Sequence, residues 1–95
     1  MVENKRSKCR KLTEKEIAAI TALLLQAGEK WPTTFVPRSR VPEFTGGLYS
    51  VGTMANADCA GVGPEGGFRI GRQWCYPTLS LVDWLISKVE REVKA

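Results

Sequence analysis

The stretch from Ala60 to Pro77, AGVGPEGGFRIGRQWCYP, constrains this chain more than any other. Gly61, Gly63, Gly66, Gly67 and Gly71 crowd into it, around two short runs of β-prone residues, Phe68-Arg-Ile70 and Gln73-Trp-Cys-Tyr76. Glycine at that density serves either to wrap a phosphate or to let the backbone turn sharply. The opening Gly61-Val-Gly63-Pro-Glu-Gly66 has the spacing G-x-G-x-x-G. In a dinucleotide site, however, such glycines follow a strand and open a helix whose N–H groups meet the pyrophosphate. Here they follow a predicted helix and precede a predicted strand. Pro64 removes one N–H donor, and no Gly-Lys-Ser/Thr follows. The glycines therefore predict a chain that leaves a helix and enters a tight hairpin, with Gly71-Arg72 as a two-residue turn of the Gly-X kind. No nucleotide or other cofactor is expected.

With 95 residues, 43% of them hydrophobic, the chain has material for one small domain and a modest core. A net charge of +4 favours an anionic partner. Lys5, Arg6, Lys8, Arg10 and Lys11, against Glu3 alone, predict a basic flexible arm over residues 1–12, either a solvated tail or a contact to phosphates. Cys9, Cys59 and Cys75 are odd in number and lack C-x-x-C spacing, so neither a disulfide framework nor a four-ligand zinc site is indicated; a reducing, cytoplasmic setting is expected. Histidine is absent, which removes the commonest general base and metal ligand. Without it a Ser or Cys nucleophile needs another activator, and there is no G-x-S-x-G elbow, so an enzyme is not expected. Apolar runs such as Ala22 to Leu25 are far too short to span a bilayer, and no membrane partner is expected.

Local signals divide the rest of the chain. Thr13-Glu-Lys-Glu16 is a capping box that predicts a helix from Glu14 to about Ala27, closed by Gly28 and Pro32, within an N-terminal element spanning 13–31. Ile17, Ile20, Leu24 and Ala27 recur at helical spacing. Leu23 and Leu25 widen that apolar face, either for packing within the domain or as a seam for a partner. Residues 32–38 read as an extended connection. A short helix is predicted from Ser39, capped by its hydroxyl, with Pro42 in the first turn, Val41 and Phe44 inward, and Thr45-Gly-Gly47 as its stop. Leu48 is expected in a buried turn. Ser50 caps a third helix reaching about Ala60, thin on apolar residues (Val51, Met54, Cys59) and otherwise small or short and polar. Gly52 costs such a helix roughly 1 kcal/mol relative to alanine. A slim face with hydrogen-bonding side chains suits a helix that lies deep in a groove. Thr78 or Ser80 caps the last helix, predicted to about Val93, with Val82, Leu85, Ile86, Val89 and Val93 as its stripe. Phe44, Phe68, Trp74, Tyr76 and Trp84 are expected in the core.

From Pro37 to Leu85 the sequence PRSRVPEFTGGLYSVGTMANADCAGVGPEGGFRIGRQWCYPTLSLVDWL resembles the small DNA-binding modules of phage and mobile-element excisionases, with AlpA-like and MerR-type regulators as relatives. The glycine turn after the first short helix, the GP linker, the FRIGRQWCYP hairpin and the terminal SLVDWL helix carry the likeness. The resemblance implies an α+β fold: a winged helix-turn-helix over residues 36–95 (helix, turn, helix, β-hairpin wing, helix) with an additional N-terminal helix. It implies that the Ser50–Ala60 helix enters the major groove of double-stranded DNA and that the Gly71-Arg72 tip touches the neighbouring backbone or minor groove. Groove width and side-chain chemistry agree, since Asn and Thr can read base edges and Arg suits phosphate or a narrow minor groove. Arg38, Arg40 and Arg72 would position the protein, and Tyr49, Thr53 and Asn56 would read sequence; Ser50, Arg69 and Gln73 complete the candidate DNA-binding set. Asp58 departs from the pattern, and is expected to cap, pair with an arginine or accept from a cytosine amine. The implied function is an excisionase that binds and bends attachment-site DNA beside an integrase, without catalysis of its own; the absence of Arg and Lys from the Ser50–Ala60 helix predicts weak affinity per module, and hence self-association or repeated binding along DNA. A transcriptional regulator using the same module, or a protein-interaction domain using the first helix, are the alternatives.

Overall fold

The computed structural model describes residues 9–90 and 92–94; most of the basic arm lies outside them. Helix α1, Glu14–Lys30, begins at the capping box: Thr13 Oγ1 accepts from the Glu16 N–H at 3.1 Å, and Glu16 Oε1 accepts from the Thr13 N–H at 2.9 Å. It runs three residues past the expected end, because Gly28 does not stop it. A Cβ on Gly28 would lie 2.8 Å from Val82 Cγ2, so glycine there permits a close approach to the last helix, α4, Thr78–Ser87. The true terminus is Trp31, in extended backbone, followed by Pro32.

Part of the expected connection is a strand. β2, Phe35–Pro37, pairs antiparallel with β4, Gln73–Pro77, which pairs on its other side with β3, Phe68–Ile70. The sheet order is β2-β4-β3, with Val36 opposite Tyr76 and Arg69 opposite Trp74. Pro37 is tolerated because β2 is an edge strand. The β3–β4 hairpin turns where predicted, with Gly71 at a φ of 61°.

A 3-10 turn, Arg38–Arg40, leads into α2, Val41–Phe44. Arg40, not Ser39, occupies the N-cap, and no side chain caps it, since the 3-10 winding draws residue 39 into the preceding turn. Pro42 sits in the first turn as expected. Gly46 and Gly47 have φ of 66° and 90°, and the Gly47 N–H reaches Pro42 O at 2.7 Å. This left-handed exit turns Leu48 outward, leaving it 78% exposed where a buried turn residue was expected. Tyr49 takes the inward place, its N–H held by Thr45 Oγ1 at 3.2 Å. Helix α3, Val51–Cys59, is capped as predicted: Ser50 Oγ accepts from the Thr53 N–H at 3.1 Å.

Helix α4 is shorter than its apolar stripe predicts. Lys88 and Val89 N–H groups bond to Leu85 and Ile86 carbonyls at 3.0 and 3.1 Å, a tightened final turn. The chain then forms β5, Glu92–Lys94, antiparallel to β1, Cys9–Lys11, so Val93 belongs to a strand. That pairing, invisible to helical periodicity, takes the end of the stripe. Neither Thr78 nor Ser80 caps α4; its N-cap is Pro77, and the buried Thr78 hydroxyl donates to Thr33 O at 3.0 Å.

The described residues thus form a small α+β structure of four α-helices and a three-stranded antiparallel sheet, with β1–β5 as a separate two-stranded ribbon. Val36, Val41, Met54, Tyr76, Leu81 and Leu85 make the central cluster. Phe44, Trp74 and Trp84 pack half-buried against it, and Phe68 meets Phe35 edge-on at 6.0 Å. α1 contributes no fully buried residue: Leu24 and Trp31 lean on the cluster, while Leu23 and Leu25 face solvent.

The α1–α4 approach yields a stability test. Gly28→Ala gains helix propensity of up to about 1 kcal/mol, but overpacking against the stiff, buried Val82 costs about 1–3 kcal/mol. Urea unfolding is therefore expected to show net destabilisation, and a double-mutant cycle with Val82→Ala a favourable coupling that relieves it.

Candidate functional site

The most tightly specified polar feature is a knot of three side chains from three elements. Arg38 follows β2 directly, Asp58 lies on the inward side of α3, and Tyr76 is on the central strand β4. Asp58 Oδ2 accepts from Arg38 Nη2 at 2.5 Å and from the Tyr76 hydroxyl at 2.5 Å, and Arg38 Nε donates to the Tyr76 oxygen at 3.1 Å. The Arg38 guanidinium also stands over the Trp74 ring, 5.6 Å from its centroid. Tyr76 is fully buried, and the Arg38 and Asp58 side chains retain 24% and 17% exposure. Burial first, and then the hydrogen bond to Asp58, push the Tyr76 phenol up to about 12. Burial alone would lower the Arg38 guanidinium, but its bonds to Tyr76 and Asp58 outweigh that and hold it above its ordinary value.

The glycine loop is built around this knot. A Cβ on Gly63 would collide with Asp58 Oδ1, and one on Gly67 would lie 2.7 Å from the Trp74 ring. Gly61 and Gly66, both at a φ of 77°, make the turns between. The loop also docks on α4, where Trp84 Nε1 donates to Val62 O at 2.7 Å and Pro64 is buried. These glycines serve turns and close packing.

Around the knot the candidate residues divide by exposure. Helix α3 turns Met54 fully inward, with Ala55, Ala57 and Asp58 partly covered; Gly52, Thr53, Asn56 and Cys59 are exposed, and helical spacing gathers them on the opposite face. The Asn56 side-chain amide has no hydrogen-bond partner among the described residues, while its backbone carbonyl accepts from the Ala60 N–H at 3.0 Å. Thr53 Oγ1 is 2.9 Å from Ser50 Oγ, and Ser50 is occupied as the cap. On the hairpin, Arg69, Arg72 and Gln73 are exposed, and neither arginine is in an ion pair among the described residues. Arg40 is exposed beside Glu43, Nε to Oε1 2.6 Å, and lies over Trp31 at 5.7 Å. The hydrogen bond between them raises the Arg40 pKa and lowers that of Glu43.

Two candidates are turned elsewhere. Arg38 is enclosed in the knot, and Tyr49 packs edge-on against Trp84 with ring centroids 5.1 Å apart. Of the three roles expected for Asp58, the structure shows the pairing with an arginine. Sequence reasoning put Tyr76 in the core but missed its bond to Asp58, and put Cys59 on the apolar side of α3, where it is in fact exposed. One signal for the knot was present: a single acid in a helix otherwise free of charge, five residues before a glycine.

Among the described residues, no group of three or more His, Cys, Asp or Glu side chains is placed to hold a metal ion, and no helix is long and apolar enough to cross a membrane. A shallow apolar groove of about 240 Å³ lies between α1 and α4, floored by Ile20, Leu24 and Leu85 and edged by Leu48. Comparison with protein-family models, curated proteins and solved structures found no match to this chain.

The knot has a measurable signature. Of the two tyrosines, Tyr76 is expected to ionise at about 12 in a spectrophotometric titration of the folded protein, and Tyr76→Phe to remove that transition. An unfolded phenol loses its proton at about 10. The folded form therefore holds its proton more tightly, and the contribution to stability is whole below about pH 10 and declines as pH rises toward about 12. Urea midpoints should fall more steeply over that window in the parent than in Tyr76→Phe.

Proposed function

We propose that this chain is a sequence-specific binder of double-stranded DNA, an accessory protein of site-specific recombination that binds and bends attachment-site DNA and catalyses no step itself. The observation that carries the DNA-binding reading is the outward face of α3: small, uncharged, with Asn56 unpartnered, on a helix anchored from behind by the Asp58 knot. Such a face suits a major groove about 12 Å wide, where side chains must approach base edges without bulk. The order α2, α3, β3, β4, preceded by β2 and with the sheet arranged β2-β4-β3, supports a winged helix-turn-helix reading, α3 being the recognition helix and the hairpin the wing. On that reading Arg72, Arg69 and Gln73 contact the backbone or minor groove beside α3, and Arg40 exchanges its exposed partner Glu43 for phosphate. The exchange is undemanding, because a solvent-exposed pair contributes little.

Excision, with an integrase as partner, rests on the resemblance of residues 37–85 to excisionases. A transcriptional regulator would use the same surface and differ only in its site and company. A protein-interaction role has one observation in its favour: Leu48, 78% exposed, edges the groove between α1 and α4, and Leu23 and Leu25 on α1 are 64% and 46% exposed.

Salt-dependent anisotropy on labelled duplexes separates the classes. A DNA binder loses affinity log-linearly as salt rises, and removal of one phosphate contact by Arg72→Ala should lower affinity for every sequence and reduce the slope by roughly 0.9. Absence of duplex binding at low salt would instead establish the interaction reading.

A further inference from the structure

We infer that α3 selects A·T base pairs and discriminates against G·C pairs, an inference that rests on the DNA-binding reading and names its sequence class. In the major groove guanine is read by arginine or lysine on O6 and N7, cytosine by a carboxylate on its amine, adenine by the paired donor and acceptor of Asn or Gln, and thymine by apolar contact with its methyl group. Helix α3 carries no Lys or Arg, its one acid is Asp58, and the nearest arginine in contact with it is Arg38. These two potential readers of a G·C pair bind each other. Asp58 Oδ2 is taken by Arg38 Nη2 and by the Tyr76 hydroxyl, and Oδ1 lies against Gly63.

What the knot leaves on the outward face has the complementary chemistry. Asn56 is an exposed amide with donor and acceptor free, the match for adenine N6 and N7. The Thr53 hydroxyl is engaged at the cap, 2.9 Å from Ser50 Oγ, which leaves its methyl group for thymine; Cys59 adds a further small, weakly polar surface. Gly52, four residues before Asn56 on the same face, has no side chain to hold the helix away from the bases. The hairpin favours the same sequences independently. Arg72 stands beside Gly71 on an exposed tip, and arginine entering a minor groove prefers the narrow, strongly negative groove of A-tracts.

Selection of the full chain against a randomised duplex library at low salt, followed by sequencing, tests this. The expected result is a site whose central positions are A·T pairs, with replacement of the adenine facing Asn56 by guanine weakening binding about tenfold. Asn56→Ala should remove that difference while the far-ultraviolet circular dichroism stays unchanged, and Asn56→Arg should shift the preference toward guanine. Central enrichment of G·C pairs, binding without base preference, or a preference unaltered in Asn56→Ala would overturn the inference while leaving DNA binding in place. Failure to bind any duplex at low salt would overturn the DNA reading and this inference together.

Discussion

The carboxylate of Asp58 is the point on which the arrangement of this chain depends. It joins α3 to the 3-10 turn after β2 and to the central strand β4 through two hydrogen bonds to one oxygen. A carboxylate so enclosed is tolerable only because both its partners are in place and one carries the opposite charge. Helix α3 has little else to orient it. It is nine residues long, contains Gly52, and fully buries one side chain, Met54. Apolar packing that thin tolerates rotation about the helix axis, whereas a hydrogen-bonded ion pair fixes it. The knot is best understood as setting the angle at which the outer face is presented, more than as a source of net stability.

The remainder of the fold supplies a stiff wall for that anchor. Tyr76 can hold Asp58 because Val36, Leu81 and Leu85 belong to the same buried cluster, and because β4 is central in the sheet, paired on both sides. Trp74, two residues earlier on β4, closes over Arg38 and presses on Gly67, so one strand governs both the guanidinium and the glycine loop. α1 is bound more lightly, by Leu24, Trp31 and the Gly28–Val82 approach, and leaves Leu23 and Leu25 in solvent. Of the four helices, α1 is thus the one without a fully buried residue, and the least committed to the core.

Features governed by neighbours in sequence were legible. The Thr13–Glu16 box, the Ser50 cap, the Gly46-Gly47 stop, the helix-ending Gly61 and the Gly71-Arg72 turn all rest on chemistry within a few residues, and each appears where predicted. Features set by distant neighbours were not. Gly28 reads as a helix stop because glycine usually is one, but its reason is Val82, far along the chain. Strand β2 needed β4 as partner, and the shortened α4 needed β1 to pair with β5. Leu48 and Tyr49 present a choice between two adjacent apolar residues that only the exit angle of α2 decides. For the candidate site, the exposed polar face of α3 could be read from its composition, whereas the loss of Arg38 to Asp58 and Tyr76 could not, since it depends on three elements meeting.

That loss has a consequence for the proposed DNA complex. A recognition helix rich in arginine is attracted to any duplex, because its charge answers phosphate whatever the bases. Helix α3 carries only Asp58, already neutralised by Arg38, so it adds almost nothing to non-specific attraction. Attraction then falls to arginines off the helix: Arg72 and Arg69 on the hairpin and Arg40 ahead of α2. On the proposed reading, positioning and base reading would therefore fall to different elements, one cationic and one neutral. In the proposed complex, with so few fixed positive charges on the outward face of α3, a single module would hold DNA weakly, and occupancy of a site would depend on several modules acting side by side.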